Sequence, residues 1–456
     1  MPRGGARALQ CRAAGRDRVS WPVRSAGLPL KDNEPRTRMS TLVIEGGQRL
    51  SGSVEVEGNK NAALPILAAC LLTTEECVLT NVPRISDVEV MARLILDLGG
   101  HVEGIGSTTL RVRCPDVVKH EPDGALVGRL RGSVLLLGPL LARRGRAHLA
   151  PPGGDFPARR TIGTHLEALL AMGARNVAGP GHILETPHGL QPTSIYLYEA
   201  SVTGTETALL AAAAANGVTE IRHAACEPHV VELCLFLQQL GVGMTGAGTS
   251  TIRVEGGGPL HGAEHQLWGD YIEAGSWAVV AAVTGGEIQV RGARTEDIEV
   301  IAAVLKRMKI ACAMDGDVFC VHRSRPHAAG RITTGLWPGF PSDMVSLVTV
   351  LATQCEGQTL VHDWLYELRL FALEQLSSMS ADLFLCDPHR IIVSGPRRLR
   401  GRPLDSRDLR SGMALIAAGL AADGQSRLAP LETVERGYGR LVERLQGLGA
   451  RVAKVA

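Results

Sequence analysis

The sequence predicts an α/β protein of two domains, each assembled from three copies of one repeating unit. Three observations carry this expectation. A short phrase that closes a helix and opens a strand occurs six times, as Leu98-Gly99-Gly100, Met172-Gly173-Ala174, Leu240-Gly241-Val242, Met308-Lys309-Ile310, Met379-Ser380-Ala381 and Leu448-Gly449-Ala450, at intervals of 68 to 74 residues. A sustained period of this kind marks a repeat architecture and has to be recognised before a fold is assigned. Within each period the order is constant: a polar turn, an alanine-rich helix, a glycine and short strand, and a second helix ending in the phrase. Finally, the 456 residues are 45% hydrophobic but only 4% aromatic and include 53 glycines, which predicts an aliphatic, close-packed core with many tight turns and enough length for two sizeable domains.

The units follow in order. The first opens at Glu57-Gly58-Asn59-Lys60-Asn61 and runs into the apolar stretch from Ala62 to Ala69. In the third, the polar turn is Ser201 to Glu206, followed by a helix through Ala215, a strand from Val218 to His223 and a helix from Pro228 to Leu240. In the fourth, the helix covers Ala274 to Val283, the strand Glu287 to Arg291 and the second helix Glu296 to Met308. The first helix of each unit is apolar nearly all round, which places it inside a domain. The second is amphipathic, as in Val88, Met91, Leu94, Ile95 and Leu98, and belongs on the surface of that core. Glycine just after a helix is the expected C-terminal cap, and two of the six copies replace it with Lys309 and Ser380.

Charge and composition exclude several classes. A net charge of +2 gives no bulk electrostatic case for nucleic acid. The longest apolar runs, such as Ala62 to Leu72, fall well short of the roughly 20 residues that span a bilayer. Ten cysteines without a C-x-x-C pair suit reduced thiols in a cytosolic protein. Residues 1–38 stand apart: they carry Arg3, Arg7, Arg12, Arg16, Arg18 and Arg24, few acids and no apolar signal core, so they read as a disordered tail or as a start site placed too early. The first clean strand pattern is Thr41-Leu42-Val43-Ile44-Glu45.

Helix N-termini leave backbone N–H groups unpaired and attract anions, and six buried helices of shared direction would gather theirs at one end of each globule. The residues there are Lys60 and Asn61; Arg131 and Ser133; Ser201, Thr203 and Thr205; Asp270 and Glu273; Asp343; and Asp408 with Arg410. Cations and hydroxyls in three units face carboxylates in the other three, an arrangement suited to proton transfer beside bound phosphate. Ser133, Thr203 and Thr205 read equally well as ordinary helix caps, whereas Lys60, Arg131 and Arg410 are poor caps and point to anion contact.

The run Gly58-Asn59-Lys60-Asn61-Ala62-Ala63-Leu64-Pro65-Ile66 resembles the opening signature of the UDP-N-acetylglucosamine 1-carboxyvinyltransferase family of enolpyruvyl transferases. So do Pro152-Gly153-Gly154-Asp155-Phe156-Pro157-Ala158-Arg159, Trp337-Pro338-Gly339-Phe340-Pro341-Ser342-Asp343-Met344, Asp408-Leu409-Arg410 and Glu435-Arg436-Gly437-Tyr438. The likeness runs unbroken over about residues 40 to 453. It implies an inside-out α/β barrel fold, with a first domain over 60–268 and a second made of 40–59 plus 269–456. It further implies that a sugar 3′-hydroxyl adds to C2 of phosphoenolpyruvate, C3 is protonated and phosphate is eliminated, without metal or organic cofactor. The implied partners are the small molecules phosphoenolpyruvate and UDP-N-acetylglucosamine, with no nucleic acid and no membrane insertion. Asp343 matches the base, Asp155 the proton donor of the glycine-rich loop, and Lys60, Arg159 and Arg436 the groups that hold phosphoenolpyruvate and leaving phosphate. Asn61, Arg131, Arg159, Arg160, Thr161, Ile162, Gly163, Ser201, Val202 and Leu365 match nucleotide-sugar contacts, and Asp408, Arg410 and Arg369 match charged positions lining the cleft.

Four positions depart from the family pattern. Asp155 stands where a cysteine is usual, so the proton donor persists while the thiol-directed epoxide fosfomycin loses its nucleophile. Arg160 replaces a common proline and leaves the loop less constrained. His229 replaces a glutamate and reads as a surface residue on a helix first turn, and Leu368 takes an often polar position beside Arg369. Two further readings compete: a 3-phosphoshikimate 1-carboxyvinyltransferase, against which Asn59-Lys60-Asn61 and the Gly-Gly-Asp loop argue, and a non-catalytic UDP-sugar-binding paralogue, which would have no need of a base at position 343.

Overall fold

A computed structural model of the chain describes residues 40–153, 161–366 and 369–455. The period seen in the sequence is a period of α/β units, each carrying its own open sheet, five of four strands and one of three. The strands after the second helix form an antiparallel pair with the unit's first strand, as where Glu76–Thr80, Thr109–Arg113 and His101–Glu103 lie side by side. A parallel edge strand completes five sheets; in three it directly precedes the unit's first helix, and in two it comes from elsewhere in the chain. Ser51–Glu55 completes the sheet of Glu287–Arg291, and Glu264–Gln266 that of Glu76–Thr80. The one strand per unit read from the sequence, followed by a second after the phrase, therefore undercounts the sheets. The partners of Ser51–Glu55 and Glu264–Gln266 lie too far away in sequence to leave a local pattern.

The buried apolar residues form two separate cores. One takes in Ala62 to Leu267, and the other Leu42 to Val56 together with Tyr271 to Val452. At the centre of each, the first helices of three units pack on one another. In the first core these are Lys60–Ala69, Leu137–Arg144 with its preceding turn Arg131–Leu136, and Val202–Ala214; in the second, Tyr271–Thr284, Val345–Ala352 and Leu409–Ala421. Their sequences explain the placement. Tyr271–Thr284 buries every residue but its last, so it has no face to offer water. Two of the six begin as 3₁₀ turns, Arg131–Leu136 and Ser342–Met344.

The repeated phrase keeps its backbone even where it loses its glycine. Gly99, Gly173, Gly241 and Gly449 have φ of 102°, 90°, 105° and 90°, and Lys309 and Ser380 follow with 61° and 73°. The turn thus imposes a left-handed residue on all six units, at a cost of about 1 kcal/mol where a side chain is present.

The chain crosses between the cores twice, and the two passages touch. Gly58 bridges Gly269, the Asn59 N–H donates to the Trp268 carbonyl at 2.7 Å, and the Asp270 N–H to the Glu57 carbonyl at 3.0 Å. A Cβ on Gly58 would fall 1.9 Å from the Asn81 carbonyl oxygen, and one on Gly269 2.0 Å from that of Gly292. Among the described residues no helix is long and apolar enough to cross a membrane.

Candidate active site

Helix starts place the charged residues, though not always as the sequence implies. Asn59 caps Lys60–Ala69, its side chain accepting from the Asn61 N–H at 2.9 Å. Ser201, Asp270 and Asp408 cap the starts at Val202, Tyr271 and Leu409. The polar stretch Ser201 to Glu206 is therefore the first turn of the helix itself. Ser133, Thr203 and Thr205 cap nothing: Ser133 donates to the Leu130 carbonyl at 2.7 Å, Thr203 meets His165 Nε2 at 2.8 Å, and Thr205 donates to the Ser201 carbonyl at 2.8 Å.

Two clusters bring site residues together. In one, the buried carboxylate of Asp87 joins the cores. Its Oδ2 lies 2.7 Å from Lys60 Nζ, and Arg436 of the other core donates through Nε and Nη2 at 3.2 Å each. Burial pushes the Asp87 carboxyl up, but Lys60 and Arg436 together outweigh it and hold the group below its ordinary value. Sequence reading missed Asp87. Its only local signal is an acid in the first turn of Ser86–Asp97, which reads as a dipole partner.

In the second cluster Asp343, carried by the 3₁₀ turn Ser342–Met344, accepts from Arg369 at Oδ1 and from Arg410 at Oδ2, both at 3.1 Å. Burial opposes both arginine charges, and Asp343 together with the other acids and tyrosines around each one more than restores them. Arg410 also donates to the Tyr438 hydroxyl at 3.2 Å, which shares a hydrogen bond of 2.8 Å with Ser276. Arg369 also donates to Ser342 Oγ at 2.7 Å and covers the Tyr366 ring at 4.7 Å. Ser342 Oγ in turn donates to Asp363, whose other oxygen accepts from the Leu365 N–H at 3.3 Å. Asp408 meets this cluster through the Arg410 backbone, accepting from the Arg410 N–H at 3.1 Å. It caps its helix, and its charge acts on Arg369.

The remaining positions lie in the first core. Arg131 donates to the Thr161 carbonyl at 2.9 Å, beside Ile162 and the start of Gly163–Ala171, a helix with no side-chain cap. Ser201 and Val202 open a neighbouring helix, linked to this one by the His165–Thr203 contact. Burial, and after it the Arg131 charge, pulls the His165 imidazole down to about 4, so it is neutral at physiological pH. Asp155, Arg159, Arg160 and Leu368 lie outside the described residues. His229 is not on the surface. It is 3% exposed, stacks on Tyr271 at 6.5 Å, and burial pulls it down to about 4. The second core covers the helix turn that sequence alone leaves open to water.

Lys60 and Arg436, joined by Asp87 across two three-unit cores, and Asp343 held between two arginines make a constellation of cations and acids suited to an anionic substrate. Residues 44–445 match the family model described as EPSP synthase (3-phosphoshikimate 1-carboxyvinyltransferase), and the chain belongs to this enolpyruvyl transferase family. Within it the chain is 42% identical to the UDP-N-acetylglucosamine 1-carboxyvinyltransferase of Bradyrhizobium diazoefficiens, over 91% of this chain and 97% of that one. It is 39% identical to the enzyme of the same name from Treponema denticola, over 91% and 99%. The crystal structure of the enolpyruvyl transferase NikO from Streptomyces tendae superposes with a TM-score of 0.83 at 26% identity, covering 91% of this chain and 99% of that chain. The chain is thus a member of the UDP-N-acetylglucosamine 1-carboxyvinyltransferases.

Proposed function

We propose that the protein transfers the enolpyruvyl group of phosphoenolpyruvate to the 3′-hydroxyl of UDP-N-acetylglucosamine and releases phosphate. This is the first committed step of peptidoglycan precursor synthesis, serving cell-wall growth and division, and its setting is the cytoplasm. The observation that carries the reading is the Asp343 carboxylate poised between Arg369 and Arg410, in a chain whose Lys60 and Arg436 are drawn together from opposite cores. Asp343 accepts the hydroxyl proton as oxygen adds to C2, Asp155 donates a proton to C3, and elimination returns that proton as the C–O bond to phosphate breaks. Lys60, Arg159 and Arg436 neutralise carboxylate and phosphate as charge moves onto the leaving group. Arg131, Asn61, Thr161 to Gly163, Ser201, Val202 and Leu365 hold the nucleotide sugar. The six units form two inside-out α/β barrel domains, 60–268 and 40–59 plus 269–456, that close on it.

The test is phosphate release from purified protein with phosphoenolpyruvate, with and without UDP-N-acetylglucosamine. Release only with the sugar nucleotide supports the reading. Release with shikimate 3-phosphate instead would move the chain to the other acceptor, and none with either would leave a binding protein. An aspartate has to be protonated to donate, and its unperturbed value is about 3.9 against about 8.5 for cysteine. Asp155→Cys is therefore expected to shift the optimum to higher pH and to gain covalent modification by fosfomycin, read by intact mass.

A further inference from the structure

The helix Tyr271–Thr284 starts at Asp270, and its other end borders a cavity of about 560 Å³. Three arginines line the cavity, Arg49, Arg323 and Arg325, together with Ser324 and the helix end from Val283 to Gly285. The lining includes no acid and no aromatic residue. The helix has 14 residues and is about 21 Å long, so the cavity lies about that far from the end whose cap, Asp270, acts on Arg410. It is therefore separate from the clusters around Asp343 and Asp87.

None of the three guanidinium groups has a hydrogen bond or ion pair among the described residues. Other arginines of the same core are taken up: Arg291 donates to Ser53, and Arg307 to the Ala329 and Arg331 carbonyls. The backbone that carries the lining arginines is fixed. Ser324, between two of them, accepts from the Ala311 N–H and donates to the His322 carbonyl, both at 2.8 Å. The His322 N–H donates to the Ala311 carbonyl at 2.8 Å, and past Arg325 the Glu356 N–H donates to the Pro326 carbonyl at 3.0 Å. Arg49 is brought to the helix end by its neighbour Leu50, whose carbonyl accepts from the Glu287 N–H at 2.9 Å. A Cβ on Gly286 would fall 2.0 Å from that same oxygen, so glycine is what lets the two segments approach. A helix C-terminus carries about half a negative charge and accommodates one nearby cation. Three cations exceed that several-fold and leave the cavity positive.

We propose that this cavity is a second anion site, taking pyrophosphate or a small phosphate ester of two or more negative charges between Arg49, Arg323 and Arg325. Guanidinium forks match phosphate oxygens two at a time. The last carbonyls of a helix lack intrahelical donors, so the end at Thr284 and Gly285 suits hydroxyl groups on the ester. A nucleobase has no ring to stack on there, so charge rather than a base is recognised. The volume is within the range of small-molecule sites and leaves room for an organic part beside the phosphate.

The experiment is calorimetric titration of the full-length protein with inorganic pyrophosphate, for wild type and for the triple variant Arg49→Gln, Arg323→Gln, Arg325→Gln. Both proteins keep Lys60 and Arg436, so any binding there is common to the two isotherms. Wild type is expected to bind one equivalent that the variant loses or holds at least about tenfold more weakly, the cost of about one charge-assisted hydrogen bond. Identical isotherms overturn the inference. So does an extra equivalent with a Kd above about 1 mM, which is the weak gathering of ions by surface charge alone. ADP should bind at this site no more tightly than pyrophosphate, and tighter binding that the triple variant abolishes overturns recognition by charge. All three side chains are exposed, and Arg323→Glu alone reverses one charge if the triple variant does not fold; an unchanged isotherm there overturns the inference. The measurement needs no turnover, so its outcome is independent of the proposed reaction.

Discussion

Replacing Asp87 by asparagine removes one charge and leaves two cations from different cores facing an amide. With Lys60 Nζ at 2.7 Å and Arg436 at 3.2 Å, the gross attractions lost are about 6 and about 5 kcal/mol at an effective dielectric of about 20. Desolvation of the buried ions offsets most of this in the intact protein. Breaking such a pair from one side costs about 3–5 kcal/mol, because the partners stay buried without their counter-charge. The amide keeps one acceptor oxygen, so the lower end, about 3 kcal/mol, is expected. At about 2–4 °C per kcal/mol for a unit of this size, Tm falls by about 6–12 °C. Because the Asp87 value is depressed in the fold, its stabilisation is present above the ordinary value of 3.8 and is lost only as pH falls through the depressed one, so the deficit should be the same at pH 7.5 and pH 5.5. Calorimetry at those two pH values is the assay, with inorganic phosphate titrated in. Phosphate should bind the variant more tightly than wild type, since Asp87 no longer competes for Lys60 and Arg436. A Tm within about 2 °C of wild type, against the range expected from the salt-bridge cost, would refute this reasoning.

Asp343→Asn should lose turnover by about 10²–10⁴ while still binding the nucleotide sugar by calorimetry, since an amide keeps shape and hydrogen bonding but takes up no proton. His229 has a folded value of about 4 against an ordinary 6.5, so its contribution to stability is intact above 6.5 and is lost as pH falls toward 4. His229→Gln should therefore outperform wild type at pH 4.5 relative to pH 7.5, by up to about 3 kcal/mol in chemical denaturation. Lys309→Gly and Ser380→Gly relieve positive φ angles of 61° and 73°, and each should raise stability by about 0.5–1 kcal/mol in urea melts. No gain at either site would mean that the turn is not strained.

The local code of this protein is legible and its long-range pairing is not. The strand Thr41–Glu45 stands where its apolar alternation puts it, and Glu287–Arg291 matches its sequence reading. The phrase after each second helix was readable because a left-handed turn leaves a glycine or a tolerated substitute at a fixed place. The partners of Ser51–Glu55 were not, because a strand carries no mark of which distant edge it completes. The same holds at the site. Lys60, Asp343, Arg369, Arg410 and Arg436 could be named from motifs, but the carboxylate that joins Lys60 to Arg436 sits in an ordinary helix first turn. His229 deceived for the same reason, since burial by a second core is not written in its own helix.

The sheet that holds Thr41–Glu45 has a consequence for synthesis. That strand lies between Gln425–Ala429 and Arg451–Val455, so both of its edges wait for residues made nearly last. At about 5–20 residues per second, a ribosome needs roughly 20–80 seconds to deliver them. Through that interval a short, β-branched apolar segment stands unpaired while the core containing Ala62 to Leu267 is already complete in sequence. The nascent chain therefore needs its early strand shielded, and slowed translation of the last units would lengthen the time in which it can pair wrongly.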